Sequence, residues 1–299
     1  MEKPPSLKKG DKIAIISTAR KIFKIELEPA VAIIKSWGLE PVFGKNLFNE
    51  NHQFSGTTKE RVADLQNALD NSEIKAIICA RGGYGTVQVI DQIDFSNFKK
   101  NPKWIVGYSD VTVLHNHINT NFNIQTLHAS MPINFATNTK EALESLKETL
   151  FGALPIYTCD VDELNKLGDA TGELVGGNLS IIYSLTGTRS QINTKGKILF
   201  LEDLDEYLYH IDRMMMNLKL AGLLTELKGL IVGGMSDMND NTVPYGKTAK
   251  QIIFDVVKEY NYPVCFEFPA GHIKDNRALM MGAEVDLKVS KNEVELSFK

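Results

Sequence analysis

The segment Gly107-Tyr108-Ser109-Asp110 follows an apolar run at 104–106 and precedes a helical pattern. A serine on a sharp strand-to-helix turn holds its hydroxyl above the end of a sheet, with the next backbone N–H aimed near the same point, as in a nucleophile elbow. The pattern here is G-x-S-D-V, so the second small residue of the usual elbow is missing. A plain helix cap is the competing reading, in which Ser109 or Asp110 accepts from free N–H groups of the first turn. A second loop, Ala80-Arg81-Gly82-Gly83-Tyr84-Gly85, follows the apolar run 74–79. Its glycines permit backbone conformations closed to other residues and close approach to a ligand. The spacing is neither G-x-G-x-x-G nor a Walker A sequence, which argues against a phosphate loop. Both loops fall at the C-terminal ends of strands, where parallel sheets bind their ligands.

A serine nucleophile needs a base and a group that orients the base. Six histidines are available. His115 and His117 lie along the helix beyond Ser109 and point away; two residues apart, they do not share a helix face as a metal pair would. His52 and His210 have no strand-end context. His128 ends the short run 124–127 and is placed to line a pocket. His272 stands in Pro269-Ala270-Gly271-His272, directly after the apolar run 263–268. Glu202 follows the apolar run 197–201. Ser109, Glu202 and His272 would then all project from strand ends, in the order Ser, Glu, His. The plain reading of Glu202, Asp203, Asp205 and Glu206 is a loop of solvated carboxylates, since no nearby His completes a metal site. There is no CxxC and no HExxH, so no metal is expected.

These residues need a scaffold, and the first half of the chain predicts one. Short apolar runs at 12–17, 40–43, 74–79 and 104–106 alternate with helical patterns at 26–37, 57–70, 86–92 and from Asp110. That alternation implies βαβ units, a mostly parallel flavodoxin-like sheet and helices on both faces. Continuous apolar strands fit a sheet covered on both sides. A helix at 140–150 closes this half. Residues 152–169 lack periodicity and contain Pro155 and Gly168, which predicts a connection between an N-terminal domain (1–151) and a mixed α/β C-terminal domain (170–299). In the latter, strands are expected at 197–201, 229–232 and 263–268, helices at 211–220 and 248–260, and a hairpin at 283–289 and 293–298.

At 299 residues, two domains suit the length, at roughly 100–200 residues each. A formal net charge of −4 is of the wrong sign for a dedicated nucleic-acid binder. The dense basic stretch, Lys99-Lys100 with Lys103, reads as a solvated loop. Met1-Glu2-Lys3-Pro4-Pro5 lacks the apolar core of a signal peptide, and no apolar run is long enough to span a bilayer. A cytoplasmic protein with no membrane partner is the expectation. Cys79, Cys159 and Cys265 are widely spaced, with Cys79 and Cys265 in apolar runs that predict burial.

In order along the chain, ARGGYG at 80–85, GYSD at 107–110, GGNL at 176–179, LFLED at 199–203 with Ile211-Asp212-Arg213, and Gly271-His272 resemble the LD-carboxypeptidase family of serine peptidases, which includes microcin-immunity hydrolases. The resemblance runs from about residue 9 to 287. It implies Ser109 as nucleophile, Glu202 as orienting acid, with Glu206 as rival, and His272 as general base. It also implies an oxyanion hole from the backbone N–H groups of Gly83 and Asp110. The implied reaction is release of terminal D-alanine from a murein tetrapeptide during cell-wall recycling, by a homodimer needing no cofactor. A microcin-type hydrolase of acyl-nucleotide peptides, or a non-catalytic binding module, is the alternative. The substrate's carboxylate calls for a cation, for which Arg81 is the candidate, and His128 is assigned to the substrate pocket. One departure stands out: Ala129 and Ser130 follow His128 where relatives often carry Gly-Pro.

Overall fold

The computed structural model describes residues 1–299. Its first sheet is six-stranded, in the order Leu279–Met281, Thr126–His128, Trp104–Gly107, Ile74–Cys79, Lys12–Ile16, Glu40–Phe43. The five N-terminal strands pair in parallel, which is the 2-1-3-4-5 order of flavodoxin-like sheets. Successive side chains on these strands feed two different cores. Ile13 and Ile15, Ala76 and Ile78 pack in one, while Ala14 and Ile16, Ile77 and Cys79 pack in the other. Alternation between two buried faces is why the strands read as unbroken apolar runs.

Strand order reverses between Lys12–Ile16 and Ile74–Cys79, so a crevice opens beyond their C-terminal ends. Residues 17–20 and the Gly-rich loop border that crevice. Leu279–Met281, unexpected from the sequence, adds antiparallel to Thr126–His128. Three residues are too few for a periodicity to register.

The second sheet has seven strands, in the order Val264–Cys265, Gly229–Ser236, Ile198–Leu204, Gly168–Asn178, Glu284–Val289, Val294–Phe298, Ile156–Cys159. Its first four strands are parallel and the rest antiparallel, making a mixed sheet. The helices Leu208–Leu220 and Ala249–Val257 cover it, with Met214 and Met215 fully buried in that core. Cys79 and Cys265 are buried, and all three cysteines are free.

The stretch 152–169 carries an edge strand, Ile156–Cys159, paired to Val294–Phe298. Gly168–Asn178 (GDATGELVGGN) is a strand of 11 residues that its glycines conceal from propensity. Two of those glycines, Gly176 and Gly177, are steric necessities. A Cβ on Gly176 would overlap the Phe200 carbonyl, and one on Gly177 would lie 2.5 Å from Thr112 Oγ1. Thr112 Oγ1 in turn accepts from Asn178 N–H at 3.0 Å. The GGNL segment therefore seats the second sheet against the helix that starts just after Ser109. The pattern at 86–92 forms two short 3-10 helices, Thr86–Gln88 and Ile90–Gln92.

Candidate active site

Ser109 follows the strand Trp104–Gly107 and opens a 3-10 turn, Ser109–Val111, ahead of the helix Thr112–Phe122. Its φ is +62°, a left-handed conformation rare for a residue with a Cβ. The capping reading does not describe what is found. Asp110 accepts instead from Thr86, through its N–H at 2.8 Å and its Oγ1 at 2.6 Å. Burial raises the pKa of the Asp110 carboxyl. Arg61 lies close by, with Nη1 donating to the carbonyls of Thr18 (2.7 Å) and Gly85 (3.0 Å) and Nη2 to Gln88 Oε1 (2.8 Å). This buried network, which the sequence reading missed, ties the Gly-rich loop to the serine turn.

The Gly-rich loop closes on Ser109. A Cβ on Gly82 would lie 3.0 Å from Ser109 Cβ and 3.1 Å from its Oγ. Gly83 has φ +112°. The N–H groups of Gly83 and Asp110 donate to no backbone carbonyl elsewhere in the fold. They are free to receive a ligand oxygen.

Glu202 lies inside the strand Ile198–Leu204, where pairing with Gly229–Ser236 slips between Leu201 and Asp203. The competing reading of a solvated loop carboxylate does not hold, since Glu202 is 0% exposed and Asp203 beside it 2% exposed. Glu202 Oε2 accepts from His272 Nδ1 at 2.6 Å and from His272 N–H at 3.1 Å. Gly271, with φ +107°, permits that approach, since its Cβ would lie 2.7 Å from Glu202 Cβ. Burial pushes the Glu202 carboxyl up, but the charge and hydrogen bond of His272 prevail and its net shift is downward. Burial lowers His272, and the Glu202 carboxylate more than offsets this, so its net shift is upward. Asp203 is pushed up to about 7 by burial and by Glu202. It is held by Asn178 Nδ2 and the Ser180 N–H, both at 2.9 Å.

Glu206, the rival acid, pairs with His210 Nδ1 at 2.6 Å, one helical turn away. The ring of Tyr108 lies 4.7 Å from that of His272, and its hydroxyl donates to Asn134 Oδ1 at 3.1 Å. Ser109 thus neighbours a residue that packs on His272, while its own hydroxyl makes no hydrogen bond to that imidazole.

His128 requires a correction. Expected to line the pocket, it is 0% exposed and packed among Tyr108, His115 and Phe200, so it supports the site from beneath. Arg81 has no carboxylate partner; its Nη1 donates to the Lys21 carbonyl at 3.2 Å.

Burial holds His128 down at about 3 and His115 at about 4. Both are therefore neutral in the fold and protonate on unfolding below about pH 6.5. Depressed folded values mean stability that is full above pH 6.5 and lost as pH falls towards the folded values. His128→Phe is expected to flatten the pH dependence of urea-unfolding free energy between pH 6 and 4 by about 1.4 kcal/mol per pH unit, one proton's worth. An unchanged slope would show that His128 is not buried neutral.

A flavodoxin-like sheet joined to a mixed sheet makes this an α/β protein, and its serine turn, glycine loop and Glu202–His272 pair are the residue types that a hydrolase site uses. Within that class the chain belongs to the LD-carboxypeptidase family: residues 13–129 match its N-terminal domain and residues 171–287 its C-terminal domain. It is 36% identical to the probable murein peptide carboxypeptidase of Bacillus subtilis (strain 168), over 97% of this chain and 92% of that protein. Identity to the murein tetrapeptide carboxypeptidase of Pseudomonas aeruginosa is 25%, with 91% of each chain covered. The crystal structure of muramoyltetrapeptide carboxypeptidase from Oxalobacter formigenes superposes with a TM-score of 0.87 at 26% identity, covering 96% of this chain and 98% of that one. The microcin C7 self immunity protein MccF superposes at 0.89 with 21% identity, over 99% and 98% of the two chains, a likeness of fold alone.

Proposed function

We propose that this chain is a serine carboxypeptidase that hydrolyses an L–D peptide bond, releasing terminal D-alanine from a murein tetrapeptide. The observation that carries the reading is the 2.6 Å contact of the buried Glu202 carboxylate with His272 Nδ1. That contact leaves Nε2 as the nitrogen able to take a proton. Ser109 Oγ attacks the carbonyl of the L-centre, and His272 takes its proton and returns it to the departing D-alanine amine. Glu202 fixes the imidazole tautomer and stabilises the imidazolium. The N–H groups of Gly83 and Asp110 receive the developing oxyanion, a contribution worth about 10²–10³ in turnover per donor. Water then takes the acyl group from Ser109 by the reverse proton transfers.

In this reading residues 1–151 supply the nucleophile and oxyanion donors, and residues 170–299 supply acid and base. The crevice between them must hold a peptide whose last residue has D configuration. A cytoplasmic site of action and a homodimer belong to the same proposal; no helix is long and apolar enough to cross a membrane. The relatives that match at 25% identity or more favour a murein peptide over an acyl-nucleotide peptide as substrate. The purified chain is expected to release D-alanine from a tetrapeptide ending L-Xaa-D-Ala and no alanine from its L-Ala epimer, measured by amino-acid chromatography. Release from neither peptide, or from both equally, would overturn the assignment.

A further inference from the structure

Hydrolysis at a C-terminal bond places a carboxylate three covalent bonds from the carbon under attack. Standard bond lengths keep it within roughly 4 Å of that carbon. If the carbonyl oxygen rests on the Gly83 N–H, the carboxylate falls beside the Gly-rich loop. A desolvated carboxylate there needs a cation, and four basic side chains stand near enough to be considered.

Three of them are engaged. Arg61 is buried and donates to the carbonyls of Thr18 and Gly85 and to Gln88. Lys21 is paired with Glu50 at 2.5 Å. Arg81 reaches back to the Lys21 carbonyl at 3.2 Å. Arg20 differs from all three. It is exposed, and its side chain makes no ion pair or hydrogen bond within the chain. That side chain lies across the oxyanion glycine: a Cβ on Gly83 would sit 2.5 Å from Arg20 Cδ and 3.1 Å from its Nε. The neighbouring glycine, Gly82, bears on Ser109 in the same way, 3.1 Å from Oγ. Consecutive residues of one loop thus touch the nucleophile and a free guanidinium.

The backbone of Arg20 is held while its side chain is not. Its carbonyl accepts from Ser17 Oγ at 2.7 Å, the Ala19 carbonyl accepts from Ser55 N–H at 3.1 Å, and Arg20 bridges to Phe54. These contacts fix the segment that follows the strand Lys12–Ile16 at the point where strand order reverses.

We propose that Arg20 is the carboxylate anchor of the substrate, its guanidinium pairing with the terminal carboxylate of the leaving residue across Gly83. The proposal rests on the serine carboxypeptidase reading above and adds the group that makes it a carboxypeptidase and not an endopeptidase. A planar guanidinium suits a carboxylate better than an ammonium, because it offers two parallel N–H donors.

The test compares a tetrapeptide ending in D-alanine with the same peptide ending in D-alaninamide, for wild type, Arg20→Ala, Arg20→Lys and Arg81→Ala. A hydrogen bond to a charged group is worth about 1.5–3 kcal/mol, so wild type is expected to prefer the acid by about 10- to 100-fold in kcat/KM. Arg20→Ala should erase that preference, chiefly through a higher KM for the acid. Arg20→Lys should restore part of it, and Arg81→Ala should retain it. Preference undiminished in Arg20→Ala, or lost in Arg81→Ala, would overturn the anchor while leaving the hydrolase intact. Hydrolysis of neither peptide by wild type would instead remove the carboxypeptidase reading, and the anchor with it.

Discussion

Ser109→Ala is expected to lower kcat/KM for D-alanine release by at least about 10⁴-fold, because loss of the nucleophile in a serine hydrolase leaves only the oxyanion donors and binding. The same variant should melt within a degree or two of wild type. Its hydroxyl supports no structural hydrogen bond, and alanine at φ +62° suffers the same backbone strain as serine. Ser109→Gly sharpens the distinction. A left-handed non-glycine residue carries strain on the order of 1–3 kcal/mol, and glycine relieves it. This variant should therefore be as inactive as Ser109→Ala yet more stable, measured by thermal unfolding. If Ser109 were a structural turn residue, activity would follow stability and Ser109→Gly would keep its turnover. Activity above about a tenth of wild type in either variant would exclude a serine nucleophile.

Glu202→Gln should be nearly as severe, at about 10⁴-fold in kcat, the scale seen when an orienting carboxylate of a serine triad becomes an amide. The fully buried carboxylate does two things for His272: it accepts the proton on Nδ1 at 2.6 Å, and its charge raises the imidazole pKa despite burial. An amide here presents an N–H₂ or a weaker acceptor and carries no charge. A general base must be unprotonated, so wild-type kcat/KM should rise with pH through the raised His272 value. In Glu202→Gln the burial that lowers His272 is left unopposed, and the acid limb of the residual activity should move to lower pH. Glu206→Gln serves as the comparison, because its carboxylate binds His210 at 2.6 Å instead. The assignment of the acid fails if Glu206→Gln proves the more damaging change, or if the acid limb stays in place when Glu202 is neutralised.

The glycine loop and the serine turn were legible one segment at a time, whereas the strand expected at 263–268 is only Val264–Cys265, so His272 stands seven residues beyond its end. Apolar runs ending in Gly-rich or G-x-S-D signatures place those residues at the C-terminal edge of a parallel sheet, whatever the rest of the chain does. Other features were not legible for reasons that can be named. Gly168–Asn178 is a strand because neighbours on both sides pair with it, against the propensity of its own residues. Leu279–Met281 joins a sheet whose other strands end by residue 128. Arg61 and Asp110, in different elements, hold the Gly-rich loop through Thr86, Gly85 and Thr18, a network without any local pattern.

From the sequence alone came the class of sheet, the edge on which chemistry would fall, and the serine, glutamate and histidine to examine. Each depends on hydrophobic periodicity and turn-forming residues within a few positions of one another. Tertiary structure decided which of two glutamates meets His272, a contact across 70 residues made possible by a side-chain-free Gly271. It also withdrew His128 into the core and left Arg20, not Arg81, with a free guanidinium beside Gly83. Burial and pairing belong to segments brought together by the whole fold, and no window of neighbouring residues contains them.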